Sequence, residues 1–304
     1  MGVTPEESVD AANGVFGRHP GYRALHAKGT LCKATFTATP DAAPLTRAAH
    51  MQGDPIPATV RVSNGGGNPE VPDYQPDVRG LAVKFYLPDG SRTDIVAQTV
   101  PRFPVPTPEG FVELLRAQRP GPAMAWRMPM FFARHPRTLL TIPPGLPALK
   151  PIASYATCTY YAIHAFRFID GDGGARYVRY MFVPEAGEQR LGLREARSRG
   201  RDYLQQDIRD RLARGPVRFT LQLQIAQAGD HVDDPTAVWP RERERVTAGT
   251  LELTELETER ETGDDVLVFD PTRVTDGIEL SDDPVLDFRH VSYTESVARR
   301  MNSG

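Results

Sequence analysis

Several features are scarce in this sequence of 304 residues, and each scarcity excludes a class of protein. Only two cysteines are present, Cys32 and Cys158, so there is no disulfide framework; this fits a reducing compartment and predicts a cytoplasmic protein. The net charge is −3, so no excess of positive charge indicates nucleic acid or an acidic membrane as a partner. No apolar run is long enough to cross a membrane, and the first twenty residues lack the apolar core of a secretory signal.

The patterns that are present predict a sheet with helices around it. Alternating apolar and polar residues predict about eight strands, among them GTLCKATFTATP, ATVRVSNGGG, PVRFTLQLQIAQ and GTLELTELETE. Two hairpins are expected, RGLAVKFYLPDGSRTDIVAQT with its turn at Pro88-Asp89-Gly90, and TCTYYAIHAFRFI joined to ARYVRYMFV through glycines 171–174. Helical patterns lie mainly in the middle of the chain, interrupted at Pro129 and Pro136, and at its end.

An antiparallel sheet of this size commonly closes into a barrel, because closure removes its edges. We therefore predict an α+β fold: a closed antiparallel eight-stranded β-barrel with surrounding helices and a C-terminal helix that carries a ligand. No linker divides the chain, so residues 1–304 are expected to form a single domain. Residues 1–15 are expected to be a loose lead-in, or a short helix.

The last helical segment, from Asp282 to Arg300, carries a candidate metal ligand. Arg289 and Tyr293 are four residues apart and Arg300 is seven beyond, so all three share one helix face. Nearby positive charge favours the phenolate form of a tyrosine, and tyrosinate is one known axial ligand of haem iron. The alternative is an ordinary tyrosine on a solvated, arginine-rich helix, which this spacing alone fits equally well.

A second candidate group lies near the N-terminus. Arg23 and His26 precede the first strand, and Arg61 and Ser63 lie two residues apart in the second strand, so they point to one side of it. A hydroxyl that binds one ring nitrogen of a histidine fixes its tautomer and leaves the other nitrogen to move a proton. Taken alone, His26 and Ser63 are equally consistent with structural roles.

Several segments, in order along the chain, resemble the haem catalase core. They are YRALHAKGTL, IPATVRVSNGGG, PDVRGLAVKFYLPDG, TDIVAQTVPRF, FDPTRVTDGIELSDDPVLDFRHVSY and the trailing Arg300. The resemblance spans roughly residues 16–300 and includes both candidate groups. Collinear agreement over several segments is more specific than any single motif.

The resemblance implies a haem b cofactor and a role for each matching residue. His26 matches the distal histidine and Ser63 the hydroxyl that supports it. Tyr293 matches the tyrosinate ligand of the iron, and Arg289 the arginine bonded to its oxygen. The remaining matches are His164 and Asp283, which extend the charge network of that arginine; Arg23, Arg61 and Arg300, which bind the haem propionates; and Phe103 and Phe111, which narrow the distal channel.

The sequence departs from the catalase pattern at one position that matters for chemistry. Catalases have a distal asparagine whose amide orients hydrogen peroxide, and the aligned residue here is Thr99, with Gln98 just before it. The sequence leaves both Thr99 and Gln98 as candidates for the place of that amide. The given sequence also ends soon after Tyr293, so we expect the protein to be without the further helical domain and arms of the larger catalases.

These departures predict a catalase-related haem peroxidase. We expect it to reduce organic hydroperoxides, and hydrogen peroxide weakly, with an external one-electron reductant and little true catalase activity. The alternatives are a fatty-acid hydroperoxide isomerase or lyase of the allene oxide synthase type, a true catalase, and a haem carrier or sensor without turnover. The expected partners are a small-molecule peroxide and a reductant, and the surface left by the missing arms suggests a homodimer.

Overall fold

Eight antiparallel strands close into a barrel in the computed structural model, which describes residues 2–257 and 267–301. The strands within those residues are β1 (Gly29–Ala38), β2 (Ile56–Asn64), β3 (Arg79–Tyr86), β4 (Arg92–Gln98), β5 (Tyr160–Tyr161), β6 (Phe166–Ile169), β7 (Ala175–Pro184), β8 (Val217–Ile225), β9 (Arg245–Leu256) and β10 (Ile278–Leu280). The order around the barrel is β7, β5, β4, β3, β2, β1, β9, β8, and the pairing of β7 with β8 closes it. The predicted barrel is confirmed.

The periodicity of the sequence accounts for the interior of the barrel. Cys32, Ala34, Phe36 and Ala38 of β1 alternate with more exposed residues and are buried together, as predicted for a half-buried strand. The predicted hairpin at Pro88-Asp89-Gly90 forms between β3 and β4. The predicted strand GTLELTELETE forms β9 as far as Leu256, and its last two residues, 258–259, lie outside the described residues.

The helices of the described residues gather outside the barrel. They are α1 (Pro5–Phe16), α2 (Pro108–Gln118), α3 (Met124–Arg134), α4 (Thr138–Gly145), α5 (Leu193–Ser198), α6 (Tyr203–Leu212) and α7 (Pro284–Met301). Helix α1 packs against α2 and α7, and α3 packs against α2. No helix within residues 2–257 and 267–301 combines the length and apolar character that a membrane crossing requires.

Two sequence predictions concern the helical part of the fold. Residues 1–15 were expected to be a loose lead-in or a short helix, and a helix forms there: α1 begins at Pro5 with a capping box between Thr4 and Glu7. The predicted break at Pro129 is wrong, because α3 continues through it. Phe131 is buried against α2 one half-turn later, and this apolar contact offsets the backbone hydrogen bond that a proline removes.

One row of residues crosses the outer face of the barrel where the candidate site lies. Ser63 of β2 pairs with Gly80 of β3, and Gly80 pairs with Gln98 of β4. Directly opposed residues of an antiparallel pair project to the same face, so these three positions share one side of the sheet. The pairing register therefore decides which side chains can meet there.

Candidate functional site

Helix α7 presents the predicted tyrosine with a guanidinium bonded to its oxygen. Arg289 lies one turn before Tyr293, as the spacing of four predicts, and donates from both Nε and Nη2 to the phenol Oη at 2.8 and 2.5 Å. Hydrogen bonds from a cation to an oxygen are stronger than those between neutral groups, and they stabilise negative charge on that oxygen. The structure thus provides an oxygen donor prepared to hold a metal cation.

The same guanidinium is the first member of a relay of three side chains. Arg289 Nη1 lies 3.0 Å from Nε2 of His164, and Nδ1 of His164 lies 2.6 Å from Oδ2 of Asp283. Because a guanidinium can only donate, His164 must accept at Nε2 and carry its proton at Nδ1, which it donates to the carboxylate. Asp283 Oδ1 also accepts from the backbone N–H groups of Val285 and Leu286, so the relay is tied to the first turn of α7.

Burial fixes the charge state of the middle member of this relay. His164 and Asp283 are each 1% exposed. Burial lowers the pKa of His164 to about 4, even though the bonded carboxylate of Asp283 acts in the opposite direction. The imidazole is therefore neutral at neutral pH and acts as a hydrogen-bond acceptor that orients Arg289.

The predicted histidine and serine meet as the sequence implied. His26 Nδ1 lies 3.0 Å from Ser63 Oγ, and the facing residue of the next strand is Gly80. A Cβ atom at Gly80 would lie 2.8 Å from both His26 Nδ1 and Ser63 Oγ, so only glycine leaves room for this pair. Sequence reasoning missed Gly80; the available signal was a glycine inside the strand segment RGLAVKF.

The glycine run of residues 65–67, which follows β2, contacts the main chain of the segment that carries His26. His26 has a φ of 55° and donates its backbone N–H to the carbonyl of Gly65 at 2.9 Å. A Cβ atom at Gly67 would lie 2.0 Å from the carbonyl oxygen of Ala24, so this close approach requires glycine. The glycine run therefore fixes the position and direction of His26.

His26 is uncharged, because its surroundings oppose a second proton. Burial is the main cause, with Arg61, Arg289 and Arg23 adding positive charge, and together they lower the pKa of His26 to about 3. A neutral imidazole with one nitrogen bonded to a hydroxyl has the other nitrogen available as a proton acceptor. The same positive charge favours an anionic ligand in this region.

The three predicted propionate-binding arginines occupy different places around the histidine segment. Arg61 is buried in β2 and donates to the carbonyl oxygens of His26 and Ala27 at 2.9 and 3.2 Å. Arg23 donates to the carbonyl oxygen of Leu267 at 2.7 Å, and it lines a narrow surface cleft between α1 and α7 that Arg300 also lines. The structure thus brings Arg23 and Arg300 together.

Gln98 lies in the same cross-strand row as Ser63, the serine bonded to His26, but its amide nitrogen is bonded to main-chain carbonyl groups. It pairs with Gly80, which pairs with Ser63, so its side chain belongs to the same face of the sheet. Its amide nitrogen lies 3.1 and 3.3 Å from the carbonyl oxygens of Val100 and Arg102, and holds the loop after β4. The nitrogen of Gln98 therefore has a structural role.

Thr99, the residue aligned with the asparagine of catalases, is buried and also has a backbone partner. Its Oγ1 accepts from the backbone N–H of Arg79 at 3.1 Å, and its own N–H donates to the carbonyl of Arg79 at 2.9 Å. A threonine hydroxyl is shorter than an amide and carries one proton instead of two. Neither Thr99 nor Gln98 thus reproduces an asparagine amide with both protons available.

The two predicted channel phenylalanines contact one another. The ring centroids of Phe103 and Phe111 are 4.9 Å apart, with the planes tilted by 44°. Both pack against an apolar cluster of Val105, Leu114, Ala117 and Phe131 that joins α2 to α3. The structure places the pair beside helix α2, and its role in a channel stays a prediction.

The donor set of these residues fits a haem. Tyr293 supplies an oxygen that accepts two N–H groups of Arg289, and phenolate is a known haem ligand. Arg23, Arg61 and Arg300 supply cations of the kind that bind carboxylate groups. No cluster of three or more histidine, cysteine or acidic residues within residues 2–257 and 267–301 is suited to hold a metal ion.

An eight-stranded barrel with an arginine-bound tyrosine and a neutral, hydroxyl-bound histidine is consistent with a haem-binding protein. Comparison with known proteins agrees, because the family model "Catalase" matches residues 18–304, and the chain belongs to the catalase family. Membership in this family implies that the chain binds haem.

Two curated relatives resemble nearly the whole chain. The chain is 50% identical over 299 residues to a catalase-related peroxidase of Mycolicibacterium paratuberculosis, covering 98% of this chain and 95% of the relative. It is 36% identical over 303 residues to a catalase-related peroxidase of Synechococcus elongatus, covering 98% of this chain and 89% of the relative. These relatives place the chain with the catalase-related peroxidases, as the sequence predicted.

Solved catalases share the fold. A fungal catalase superposes with a TM-score of 0.80 at 25% identity, covering 94% of this chain and 61% of its own. Catalase A from Saccharomyces cerevisiae superposes with a TM-score of 0.79 at 25% identity, covering 93% of this chain and 62% of its own. The chain therefore spans about three-fifths of the length of these two catalases.

Proposed function

We propose that this chain is a haem b peroxidase that reduces organic hydroperoxides, and hydrogen peroxide weakly, with an external one-electron donor. The supporting observation is the environment of Thr99 and Gln98. Thr99 Oγ1 accepts from the backbone of Arg79, and the amide of Gln98 is bonded to two carbonyl groups. Disproportionation needs a second hydrogen peroxide held in register, and these side chains do not supply the amide that would hold it.

The roles of the residues follow from their contacts. Tyr293 is the proposed iron ligand, with Arg289 stabilising its charge and His164 and Asp283 fixing the direction of Arg289. Arg23, Arg61 and Arg300 are the proposed partners of the two haem carboxylates. When bound, the haem would supply the redox chemistry of the reaction, with the external donor as the source of electrons.

The proton chemistry belongs to His26. For Nε2 to accept a proton, Nδ1 must carry one and donate it to Ser63 Oγ, 3.0 Å away. His26 then takes a proton from one peroxide oxygen at Nε2 and delivers it to the other, so that water or an alcohol leaves. Phe103 and Phe111 are proposed to line the approach, where apolar rings favour hydroperoxides with an organic substituent.

The test compares two activities of the haem-loaded protein. We expect rapid reduction of cumene hydroperoxide with a phenolic donor and slow evolution of oxygen from hydrogen peroxide. Thr99→Asn restores an amide at the aligned position and is expected to raise oxygen evolution relative to donor oxidation, whereas Thr99→Ser, the matched control, is not. An oxygen-evolution ratio near that of a full catalase in the unmodified protein would refute the proposal.

Product analysis separates the proposed function from the isomerase alternative. A peroxidase converts a fatty-acid hydroperoxide to the alcohol and consumes donor in proportion. An epoxide or ketol formed without donor would assign the allene oxide synthase type of reaction instead. A protein that takes up haem but turns over neither substrate would be a carrier.

A further inference from the structure

The segment from α3 to the end of α4 carries an exposed apolar surface that the proposed function does not explain. Its exposed large side chains are Met124, Trp126, Met130, Leu139, Leu140 and Leu146, which are more than half of the exposed large hydrophobic residues in the described part of the chain. Trp126 is 58% exposed and Leu140 is 74% exposed. We call the surface of residues 124–146 the α3–α4 patch. Exposed large apolar side chains gathered on two consecutive helices in this way are typical of an interaction surface.

Helix α3 is well packed on its buried side, so its exposed apolar residues do not belong to a loosely packed core. Phe131 is buried against α2, and Met128 and Phe132 pack on the same cluster. Trp126 and Met130 lie one turn apart on the opposite side of α3, and both are exposed. Helix α3 is therefore apolar on both sides, and only one side is covered by the rest of the chain.

The charge of this region is of one sign, although the chain as a whole carries −3. No aspartate or glutamate occurs within residues 124–146, whereas three arginines do: Arg127, Arg134 and Arg137. Arg134 and Arg137 are exposed at the junction of α3 and α4, between the apolar side chains of the two helices. One acidic side chain contacts the junction from α2: the carboxylate of Glu113 lies 2.9 Å from Nε2 of His135.

We infer that the α3–α4 patch docks on the surface of a membrane that contains anionic lipids. Tryptophan, leucine and methionine beside arginine are the composition of interfacial helices, whose apolar side enters the region between headgroups and acyl chains. The long arginine side chains reach back to the lipid phosphates while the apolar residues lie deeper. A protein partner with an acidic surface, or a second copy of this chain, has to be distinguished from a bilayer by experiment.

The location of the patch gives the docking a consequence for the enzyme. The cluster beneath α3 includes Phe103 and Phe111, which are proposed to line the approach of hydroperoxide. A docked protein would then receive lipid hydroperoxides directly from the bilayer. This consequence rests on the proposed function, whereas the docking itself does not.

The experiment uses the haem-loaded protein and vesicles of phosphatidylcholine, with or without one part in three of phosphatidylglycerol. We expect sedimentation with the anionic vesicles only, weakening with added salt. The chain has two tryptophans, and Trp239 is 3% exposed, so a blue shift of the fluorescence on binding reports Trp126. Trp126→Ser is expected to lose binding, measured by sedimentation because this variant lacks the reporting tryptophan.

Paired variants separate the patch from general charge and hydrophobicity. Replacing Arg134 and Arg137 by glutamine is expected to weaken vesicle binding about fivefold per charge. The control is the same change at Arg209 of α6 and Arg214 just after it, which are also exposed and are expected to leave binding unchanged. Leu140→Asp is expected to abolish vesicle binding, whereas Leu193→Asp, at an exposed leucine of α5, is not.

Three results would overturn the inference. They are absence of binding to anionic vesicles, binding that the patch variants leave unchanged, and self-association in solution that buries Trp126 and is lost in Leu140→Asp. The reduction of cumene hydroperoxide in lipid-free solution is measured in parallel. It tests the proposed function separately, because soluble substrate needs no docking, and each patch variant is expected to retain that activity.

Discussion

The pH dependence of the reaction with peroxide tests the assignment of His26 most directly. An ordinary histidine, with a pKa near 6.5, would be only about 1% neutral at pH 4.5. Burial and the charges of Arg61, Arg289 and Arg23 lower the pKa of His26 to about 3, so the ring is about 97% neutral at that pH. The two situations differ by a factor of about 100 in the fraction of competent base.

The assay is rapid mixing of the haem-loaded protein with cumene hydroperoxide from pH 8 to pH 4.5. We expect a rate constant that changes little over this range, because the neutral form persists to well below pH 4.5. Soret absorbance and circular dichroism recorded at each pH identify any loss of haem or of fold. An acid limb centred near pH 6.5 with the fold intact would refute the reasoning, and His26→Gln is expected to lower the rate at every pH by about a hundredfold or more.

Three further predictions concern the groups around the site and the core. Asp283→Asn cannot both accept from His164 and preserve the helix cap, so haem affinity, measured in a haem-transfer assay, should fall by about ten- to a hundredfold, as is typical for groups that orient metal ligands. Gly80→Ala places a Cβ 2.8 Å from His26 Nδ1 and should slow the peroxide step about a hundredfold while haem content is retained. His50 is 1% exposed, and burial lowers its pKa to about 4. Below pH 6.5 the unfolded chain takes up a proton at His50 and the folded protein does not, so stability is lost as the pH falls from 6.5 toward 4. His50→Leu should therefore reduce the loss of unfolding free energy between pH 7 and pH 5 by about 2 kcal/mol.

Each of these predictions has an outcome that contradicts it. Unchanged haem affinity in Asp283→Asn would mean that the relay does not position Arg289. A normal peroxide rate in Gly80→Ala would show that the histidine–serine pair tolerates displacement. Equal acid sensitivity of His50→Leu and the unmodified protein, measured by urea unfolding at the two pH values, would place the acid-labile group elsewhere.

Helix and strand periodicity are local, so the sequence determined which candidate residues share a face, and the resemblance to the catalase core implied their roles. The spacing of Arg289 and Tyr293 on α7, and of Arg61 and Ser63 on β2, placed each pair on one face before any tertiary contact was known. The alternation of β1 and the turn after Pro88 likewise predicted the barrel strands. The break predicted at Pro129 was wrong, because α3 is stabilised by the buried contact of Phe131 with α2, and α2 is a separate element that local periodicity does not describe.

The tertiary structure decided the contacts that depend on register and on loops far apart in the chain. The pairing of β2, β3 and β4 puts Ser63, Gly80 and Gln98 in one row, and nothing in the order of residues specifies that register. It also decided the charge states of His26 and His164, since these depend on burial and on arginines from other elements. The sequence thus supplied the chemical groups and their short-range spacing, and its resemblance to the catalase core implied their roles. The fold set their distances and protonation, because both arise from long-range packing.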